Sequence, residues 1–184
     1  SALGSGMCNP VSASSTVYAL AVNGSGNLYA GGEFTTAGGT NANRIAKWNG
    51  TSWSAFSAPS GNGVNTVIYA LAFDSSGNLY AGGEFATAGG VSANYVAKWD
   101  GASWSALGTG MNYNVYALAV DGSGNLYAGG WFTTAGGVGA NRIAKWDGAN
   151  WSALGAGMNY NVDALAVDGS GNLYAGGNFT TAGG

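Results

Sequence analysis

Residues 115–130 read Val-Tyr-Ala-Leu-Ala-Val-Asp-Gly-Ser-Gly-Asn-Leu-Tyr-Ala-Gly-Gly. From Tyr116 to Val120 large and small apolar residues alternate, a period of two that is typical of a β-strand. The Asp-Gly-Ser-Gly-Asn segment then predicts a tight turn, because glycine adopts positive φ and Asp closes a local turn through its side chain. Leu-Tyr-Ala follows as a second strand that ends at Gly-Gly. The stretch therefore predicts an antiparallel hairpin.

This hairpin stretch occurs four times in the 184-residue chain. The tyrosine of its Leu-Tyr-Ala-Gly-Gly segment recurs at spacings of 51, 47 and 47 residues, as Tyr29, Tyr80, Tyr127 and Tyr174. Residues 105–137 and 152–184 differ at only three of 33 positions, which are Thr109/Ala156, Tyr116/Asp163 and Trp131/Asn178. Such identity indicates a recent duplication or a designed consensus. Periods of roughly 40–50 residues are typical of propellers and solenoids.

Each unit is predicted to contain four short antiparallel strands and no helix. In the first copy these are Val17–Val22, Leu28–Ala30, Arg44–Trp48 and Ser52–Phe56, and Asn49-Gly50 is a hairpin signal between the last two. Four strands repeated every ~47 residues predict an all-β fold, a β-propeller built of four-stranded antiparallel blades. We expect a single domain over 1–184, with units 1–53, 54–104, 105–151 and 152–184.

The last unit is predicted to lack its third strand. Residues 1–4 align with residues 105–108 in a fourth strand, and Gly184 aligns with Gly137, just after a second strand. If the N-terminal strand took the fourth position of the last blade, the 14 residues equivalent to Val138–Trp151 would be missing. A missing strand exposes unpaired edges. The chain is then part of a longer array, pairs with another copy, or has a fourth blade that tolerates the gap; we favour the first two.

The unit resembles the kelch repeat, in the divergent form common in secreted bacterial proteins. The resemblance rests on a glycine pair after a hydrophobic strand and a tryptophan on the fourth strand: Gly31-Gly32, Gly82-Gly83, Gly129-Gly130 and Gly176-Gly177, with Trp53, Trp104 and Trp151. It departs where Trp48, Trp99 and Trp146 replace the kelch tyrosine. The Trp-Asp dipeptides also resemble WD40 blades, but the Gly-His signature of that family needs a histidine. The resemblance implies protein or glycan binding more often than catalysis.

The composition disfavours several classes of function. The chain has no histidine, one cysteine (Cys8), 7% charged residues and a net charge of −3, so imidazole catalysis, zinc sites of paired Cys and His, and an intrachain disulfide are excluded. Five basic residues predict no nucleic-acid partner, and the lack of a long apolar run predicts no membrane insertion. We expect no cofactor and no metal. The sequence begins without a basic-then-apolar leader, so we expect no signal peptide in this chain, and we expect an extracellular or cell-surface location in a bacterium.

Differences between the copies gather at one end of the predicted blades. The connections into the first strands vary in length, and the residue after each glycine pair changes: Glu33, Glu84, Trp131 and Asn178. Both connections lie on one rim of a four-stranded meander, and binding residues favour loops on a rigid scaffold. The rim loops also carry Asn112, Tyr113, Asn159 and Tyr160. Aromatic faces beside amides suit sugars or a polar protein surface. The alternative is that these loops drift and their aromatics only pack locally.

Other residues are interpreted structurally. Asp74, Asp121 and Asp168 offer one acid per turn, too few for calcium, and are predicted to cap their turns. Lys47, Lys98 and Lys145 are predicted to lie near an aromatic ring or an acid. Trp48, Trp53 and their equivalents in the other copies are predicted to pack between blades. Cys8 lacks a histidine partner for nucleophilic chemistry. Glu33 and Glu84 would need to converge to act as a glycosidase pair, and no third element supports that.

The sequence thus predicts a non-catalytic binding or adhesion module whose rim contacts a glycan or a partner protein. The alternative is a structural repeat protein without a ligand, which self-assembles as a surface array, a filament or a designed propeller. Homo-oligomers or additional blades would complete the ring in either case.

Overall fold

The computed structural model describes Gly4 and residues 6–9, 15–58 and 61–183, with the side chains of residues 57 and 58 left aside. This part of the chain is all-β. It contains no helix that could span a membrane.

The described strands form four main antiparallel sheets, which follow one another along the chain. In each sheet the strands are adjacent in sequence order, so the first strand lies at one edge. Sheet 1 comprises Thr16–Val22, Leu28–Glu33, Ile45–Trp48 and Trp53–Ala55. Sheet 2 comprises Ile68–Phe73, Leu79–Gly83, Val96–Trp99 and Trp104–Ala106. Sheet 3 comprises Val115–Val120, Leu126–Gly130, Ile143–Trp146 and Trp151–Ala153, and sheet 4 comprises Val162–Val167 and Leu173–Gly177.

Short hairpins of two-residue strands lie between the second and third strands of sheets 1 to 3. They were not predicted, because two-residue strands are too short to show a period in sequence. They are Thr36–Ala37 with Thr40–Asn41, Thr87–Ala88 with Val91–Ser92, and Thr134–Ala135 with Val138–Gly139. Met7–Cys8 pairs with the first of these hairpins, and Ser57–Ala58 pairs with Gly61–Asn62 in the connection between sheets 1 and 2.

Successive sheets stack face to face through a contact that depends on glycine. A Cβ added to Gly31 of sheet 1 would lie 2.6 Å from Cγ2 of Ile68 and 3.3 Å from Cδ1 of Leu71 in sheet 2. We call the side of a sheet that carries such a glycine its back face, and the side that carries the branched residues its front face. The bare glycine backbone lets the front face of the next sheet approach closely.

Aromatic side chains fill the rest of the space between sheets. Tyr29 on the back face of sheet 1 makes an edge contact with Phe73 of sheet 2, with ring centroids 4.9 Å apart. Trp53 is buried and lies 5.5 Å from Trp48 by ring centroids. Lys47 lies over the Tyr29 ring at 5.8 Å. Trp53, Trp104 and Trp151 are buried, and the half-buried Trp48, Trp99 and Trp146 pack against the core clusters. The prediction that the three lysines lie near aromatic rings is confirmed.

The turn-cap interpretation of the aspartates is also confirmed. Oδ1 of Asp121 accepts hydrogen bonds from the backbone N–H groups of Ser123 and Asn125, each at 2.9 Å. Its Oδ2 accepts from the Asn125 amide at 2.7 Å and from the Tyr127 hydroxyl at 3.1 Å. Four hydrogen bonds lower the pKa of Asp121 although burial opposes them, so the carboxylate is held charged within its own turn.

Several predicted boundaries differ from the structure. The second strand does not end at Ala30 but runs through the glycine pair to Glu33, because the glycines keep ladder pairing while sparing the space of a side chain. The third and fourth strands are Ile45–Trp48 and Trp53–Ala55, shorter than Arg44–Trp48 and Ser52–Phe56. The first begins at Thr16.

Within the described part of the chain, sheet 4 consists of two strands, which are the equivalents of the first and second strands of the other sheets. The predicted closing strand at residues 1–4 falls largely outside the described residues. Its one described member, Gly4, lies against Trp53 of sheet 1, where an added Cβ would be 3.6 Å from the indole.

Candidate functional site

The residues that differ between the copies lie at one end of the sheets. The backbone N–H of Trp131, after the second strand of sheet 3, donates to the carbonyl of Asn114 at 3.0 Å, and the N–H of Glu84 donates to Val67 in the same way. These bonds join the connection that leaves each second strand to the one that enters each first strand. We call this end of the sheets the rim.

The rim between sheets 3 and 4 carries a cluster of one cation and two aromatic rings. The guanidinium carbon of Arg142 lies 4.5 Å from the Trp131 ring centroid, within cation–π range. Tyr160 makes an edge contact with Trp131 at 4.8 Å between centroids. Tyr160 is 48% exposed, so the cluster presents aromatic surface to solvent.

Arg142 is held in this cluster by an unusual backbone conformation. Its φ is +66°, a left-handed value that few residues other than glycine adopt. Its Nη1 donates to the carbonyls of Trp131 and Phe132, both at 3.1 Å. Strained residues of this kind persist where the surroundings fix them, and they are found often at binding sites. The guanidinium therefore stays on the indole face without a ligand.

The same rim position differs from sheet to sheet. Between sheets 2 and 3, the residue with φ +65° is Tyr95, which stacks on Tyr113 at 6.1 Å between centroids. Tyr113 is 48% exposed. In sheet 1, Arg44 has φ +66° and its Nη1 donates to Phe34 at 3.1 Å. One backbone geometry thus presents different side chains around the rim.

A row of tyrosines runs beside the rim along the first strands. Tyr18, Tyr69 and Tyr116 contact each other across the sheets, with centroids 5.3 Å and 5.5 Å apart. Each occupies the register shift of its strand, where a bulge inserts an unpaired residue and re-aims its side chain. The fourth position is Asp163, which accepts a hydrogen bond from Asn161 at 2.9 Å.

Glu84 is joined to this row. The Tyr69 hydroxyl donates to Oε2 of Glu84 at 3.1 Å. Burial, this hydrogen bond and the negative charge of Glu84 raise the pKa of Tyr69 to about 12. The tyrosine therefore stays a neutral donor, and the carboxylate is engaged by it. Glu33 is half-buried at the equivalent end of the second strand of sheet 1.

Two of the three predicted asparagines make the same hydrogen bonds, and the third is exposed. Oδ1 of Asn112 accepts the N–H groups of Thr133 and Thr134 at 2.8 Å and 3.0 Å, and its amide donates to the Thr133 hydroxyl at 2.9 Å. Asn159 makes the same set with Thr180 and Thr181. Both side chains hold the segment that follows the second strand of their sheet. Asn178 is exposed.

Arg142, Tyr95 and the tyrosine row were not predicted as site residues. The sequence holds one signal for the first two, since Arg44, Tyr95 and Arg142 occupy one position at which the second copy differs. The signal for the row was the Tyr116/Asp163 difference.

Other groups of the described residues do not extend the site. No cluster of three potential metal ligands occurs among them. Cys8 is an exposed free thiol 2.8 Å from the Thr36 hydroxyl. A cleft of about 300 Å³ lies between sheets 1 and 2, lined by Tyr29, Lys47, Ala55, Phe56, Trp99 and Gly101. It contains none of the predicted rim residues.

No protein-family model and no curated protein matches this chain. Solved structures do. The extracellular domain of BT4673 from B. thetaiotaomicron, a protein assigned to the hybrid two-component systems, matches with a TM-score of 0.59 and 14% identity over 92% of this chain. A second structure of that extracellular domain, there assigned to a one-component system, matches with a TM-score of 0.59 and 14% identity over 90%. The chain spans about a fifth of either (20% and 21%). At this identity the likeness concerns the fold, and it places the chain beside extracellular all-β domains.

Proposed function

We propose that this chain is a non-catalytic binding module, a kelch-like β-propeller segment that contacts a glycan or a partner protein outside a bacterial cell. The observation that carries the proposal is the cluster on the rim of the half-buried Trp131 and Arg142 with the exposed Tyr160. The extracellular domains that share its fold support the location, and the stacking of successive sheets supports the propeller.

The cluster has the chemistry of a recognition surface. Trp, Tyr and Arg are the residue types most enriched among the few residues that dominate binding energy at interfaces. A sugar ring can stack its apolar face on Trp131 or Tyr160, while its hydroxyl oxygens accept hydrogen bonds from the Arg142 guanidinium. Because Arg142 is already fixed by two carbonyls, little ordering remains to oppose binding.

The neighbouring position offers a second contact of the same kind. Tyr95 and Tyr113 lie stacked at the rim between sheets 2 and 3. Two aromatic positions on successive sheets suit an extended ligand, such as an oligosaccharide or a loop of another protein.

A glycan array and a pull-down from extracellular material test the proposal. The chain itself offers the matched variant, Trp131→Asn, which carries the residue found at the equivalent Asn178. We expect affinity to fall roughly tenfold or more, since central interface aromatics contribute about 2 kcal/mol. Ser123→Ala, in a turn at the opposite end of sheet 3, is the control. Binding that survives both Trp131→Asn and Tyr113→Ala would place the site elsewhere.

The absence of catalysis is tested separately. Glu84 is engaged by Tyr69, which is a positioning contact and not that of a free base. We expect no turnover of a panel of chromogenic glycosides by the wild-type chain. Turnover that is lost in Glu33→Gln or Glu84→Gln would contradict this part of the proposal.

A further inference from the structure

The four sheets meet in three copies of one contact. Gly31, Gly82 and Gly129 each lie on a back face, and a Cβ added to any of them would be 2.6 Å from a side-chain methyl of the next sheet. The methyls belong to Ile68, Val115 and Val162. The tyrosines two residues earlier on the same faces are buried in all three contacts, with 4% to 8% exposure.

The front face of sheet 1 is an exposed half of this contact. Val17 and Leu20 are the equivalents of Ile68 and Leu71, yet Val17 is 38% exposed and Leu20 is 62% exposed. Val22 is 60% exposed. Val17 and Leu20 line an apolar cleft of about 300 Å³ together with Leu28 and Trp53.

The back face of sheet 4 is the other exposed half. Tyr174, the equivalent of the buried Tyr127, is 57% exposed. A Cβ added to Gly176 would meet only Ala164 of its own sheet, at 3.9 Å. These residues and Ala166 line an apolar cleft of about 270 Å³.

The two open faces match in extent. On sheet 1, the outer strands are already covered, because Met7 packs on the cluster of Phe34 and Trp53, and Gly4 lies against Trp53. Among the described residues, the part of this face that remains open lies on the first and second strands, which we call the inner pair. As far as the structure describes the chain, sheet 4 consists of the inner pair. Each face therefore offers the inner half of the repeated contact and lacks its complement.

We propose that a second copy of this chain supplies the complement, with the front face of its sheet 1 docked on the back face of sheet 4. Val17 of one copy lies on Gly176 of the other, as Val162 lies on Gly129, and Val22 packs on Tyr174 as Phe73 packs on Tyr29. The contact is head-to-tail, so two copies that each use both faces close a ring, and copies that do not close form a filament. This association uses sheet faces and is independent of ligand binding at the rim.

The polar residues at the seam agree with this arrangement. The row of Tyr18, Tyr69 and Tyr116 would continue across the seam, and the residue that follows it there is Asp163. A tyrosine hydroxyl beside a carboxylate is the pairing already present between Tyr69 and Glu84. The contacts between sheets 1 and 2 and between sheets 2 and 3 join two tyrosine rings, whereas the seam would place the Tyr18 hydroxyl next to a carboxylate.

The test is the solution mass of the 184-residue chain, measured by light scattering over a range of concentrations, with one variant for each face. Leu20→Lys blocks the front face and Gly176→Val blocks the back face. Both sites are open in the single copy, so both variants should keep the fold, which circular dichroism and thermal unfolding would verify. Val138→Lys, at another exposed hydrophobic residue, is the control.

We expect the wild type and the control to form a species of twice 18.2 kDa or a larger assembly. Each face variant alone should weaken association roughly tenfold or more, since a misfit in a packed contact costs that much. A mixture of the two variants should recover a pair joined at one seam, because each retains the face that the other lost. A wild type that stays monomeric at all concentrations, or an assembly that both face variants leave intact, would overturn the proposal.

Discussion

The contact between sheets predicts opposite outcomes for one substitution at two equivalent glycines. Gly129 and Gly176 occupy the same position of the same Leu-Tyr-Ala-Gly-Gly segment. An alanine Cβ at Gly129 would lie 2.6 Å from Cγ1 of Val162, whereas at Gly176 it would lie 3.9 Å from Ala164. Carbon atoms pack best at roughly 3.5–4.0 Å, so only the first site is about 1 Å too short.

The magnitude follows from two effects. Replacing glycine by alanine within a strand stabilises by roughly 0.5–1 kcal/mol through the backbone entropy of the unfolded chain. Both variants gain this effect, so their difference isolates the cost of overpacking, about 1–3 kcal/mol. At roughly 2–4 °C per kcal/mol for a domain of this size, Gly129→Ala should melt about 2–12 °C below Gly176→Ala.

Thermal unfolding of dilute protein, where self-association contributes least, measures this difference. Gly82→Ala is the internal replicate, since its Cβ would also lie 2.6 Å from a valine methyl. Equal melting temperatures for Gly129→Ala and Gly176→Ala would refute the account of how the sheets meet.

Three further predictions concern single side chains. Glu84→Gln removes the negative charge beside Tyr69 and should lower the pKa of Tyr69 from about 12 towards 10, although burial keeps it above 10. Tyrosinate absorbance measures this titration, and an unchanged curve would show that Glu84 does not influence Tyr69. Hydrogen bonds hold the pKa of Asp168 at about 2, so its stabilisation is complete above pH 4 and is lost as the pH falls towards 2. Asp168→Asn should therefore flatten the melting temperature over that range. The Trp151 indole donates to the Leu107 carbonyl at 2.9 Å, while the Trp104 indole nitrogen is buried without a hydrogen bond. Trp151→Phe should therefore cost about 1–3 kcal/mol more than Trp104→Phe in denaturant unfolding, and equal losses would show that the bond adds nothing.

The strands were predictable because their signals are local. Large and small residues alternate from Tyr116 to Val120, and Asp121 caps the five-residue turn that follows through its own side chain. Such patterns act through neighbours in sequence, so each copy repeats them. The extent of the second strand was not predictable in this way. Gly129 and Gly130 read as the end of a strand, but they continue it because Val162 of the next sheet occupies the space of a side chain.

The site was predictable in its location and less so in its members. Copy variation identified Trp131 and Tyr160 at the rim, and they are in contact. Arg142 was missed because its contact with Trp131 depends on a left-handed backbone conformation, which the residue pattern does not predict. Asn112 was predicted to face a ligand, but a backbone more than twenty residues away takes up its amide. Tertiary neighbours decide such assignments.

The repeated glycine contact also has an evolutionary consequence. Gly31, Gly82 and Gly129 each pack against the same kind of branched side chain. A unit can therefore pack next to any other unit, whatever its position in the chain. Recombination between near-identical gene segments can delete or duplicate one unit, and the sheets brought together would still fit. Rim residues such as Trp131 belong to their unit, so each such event changes the combination of rim residues while the contacts between sheets are preserved.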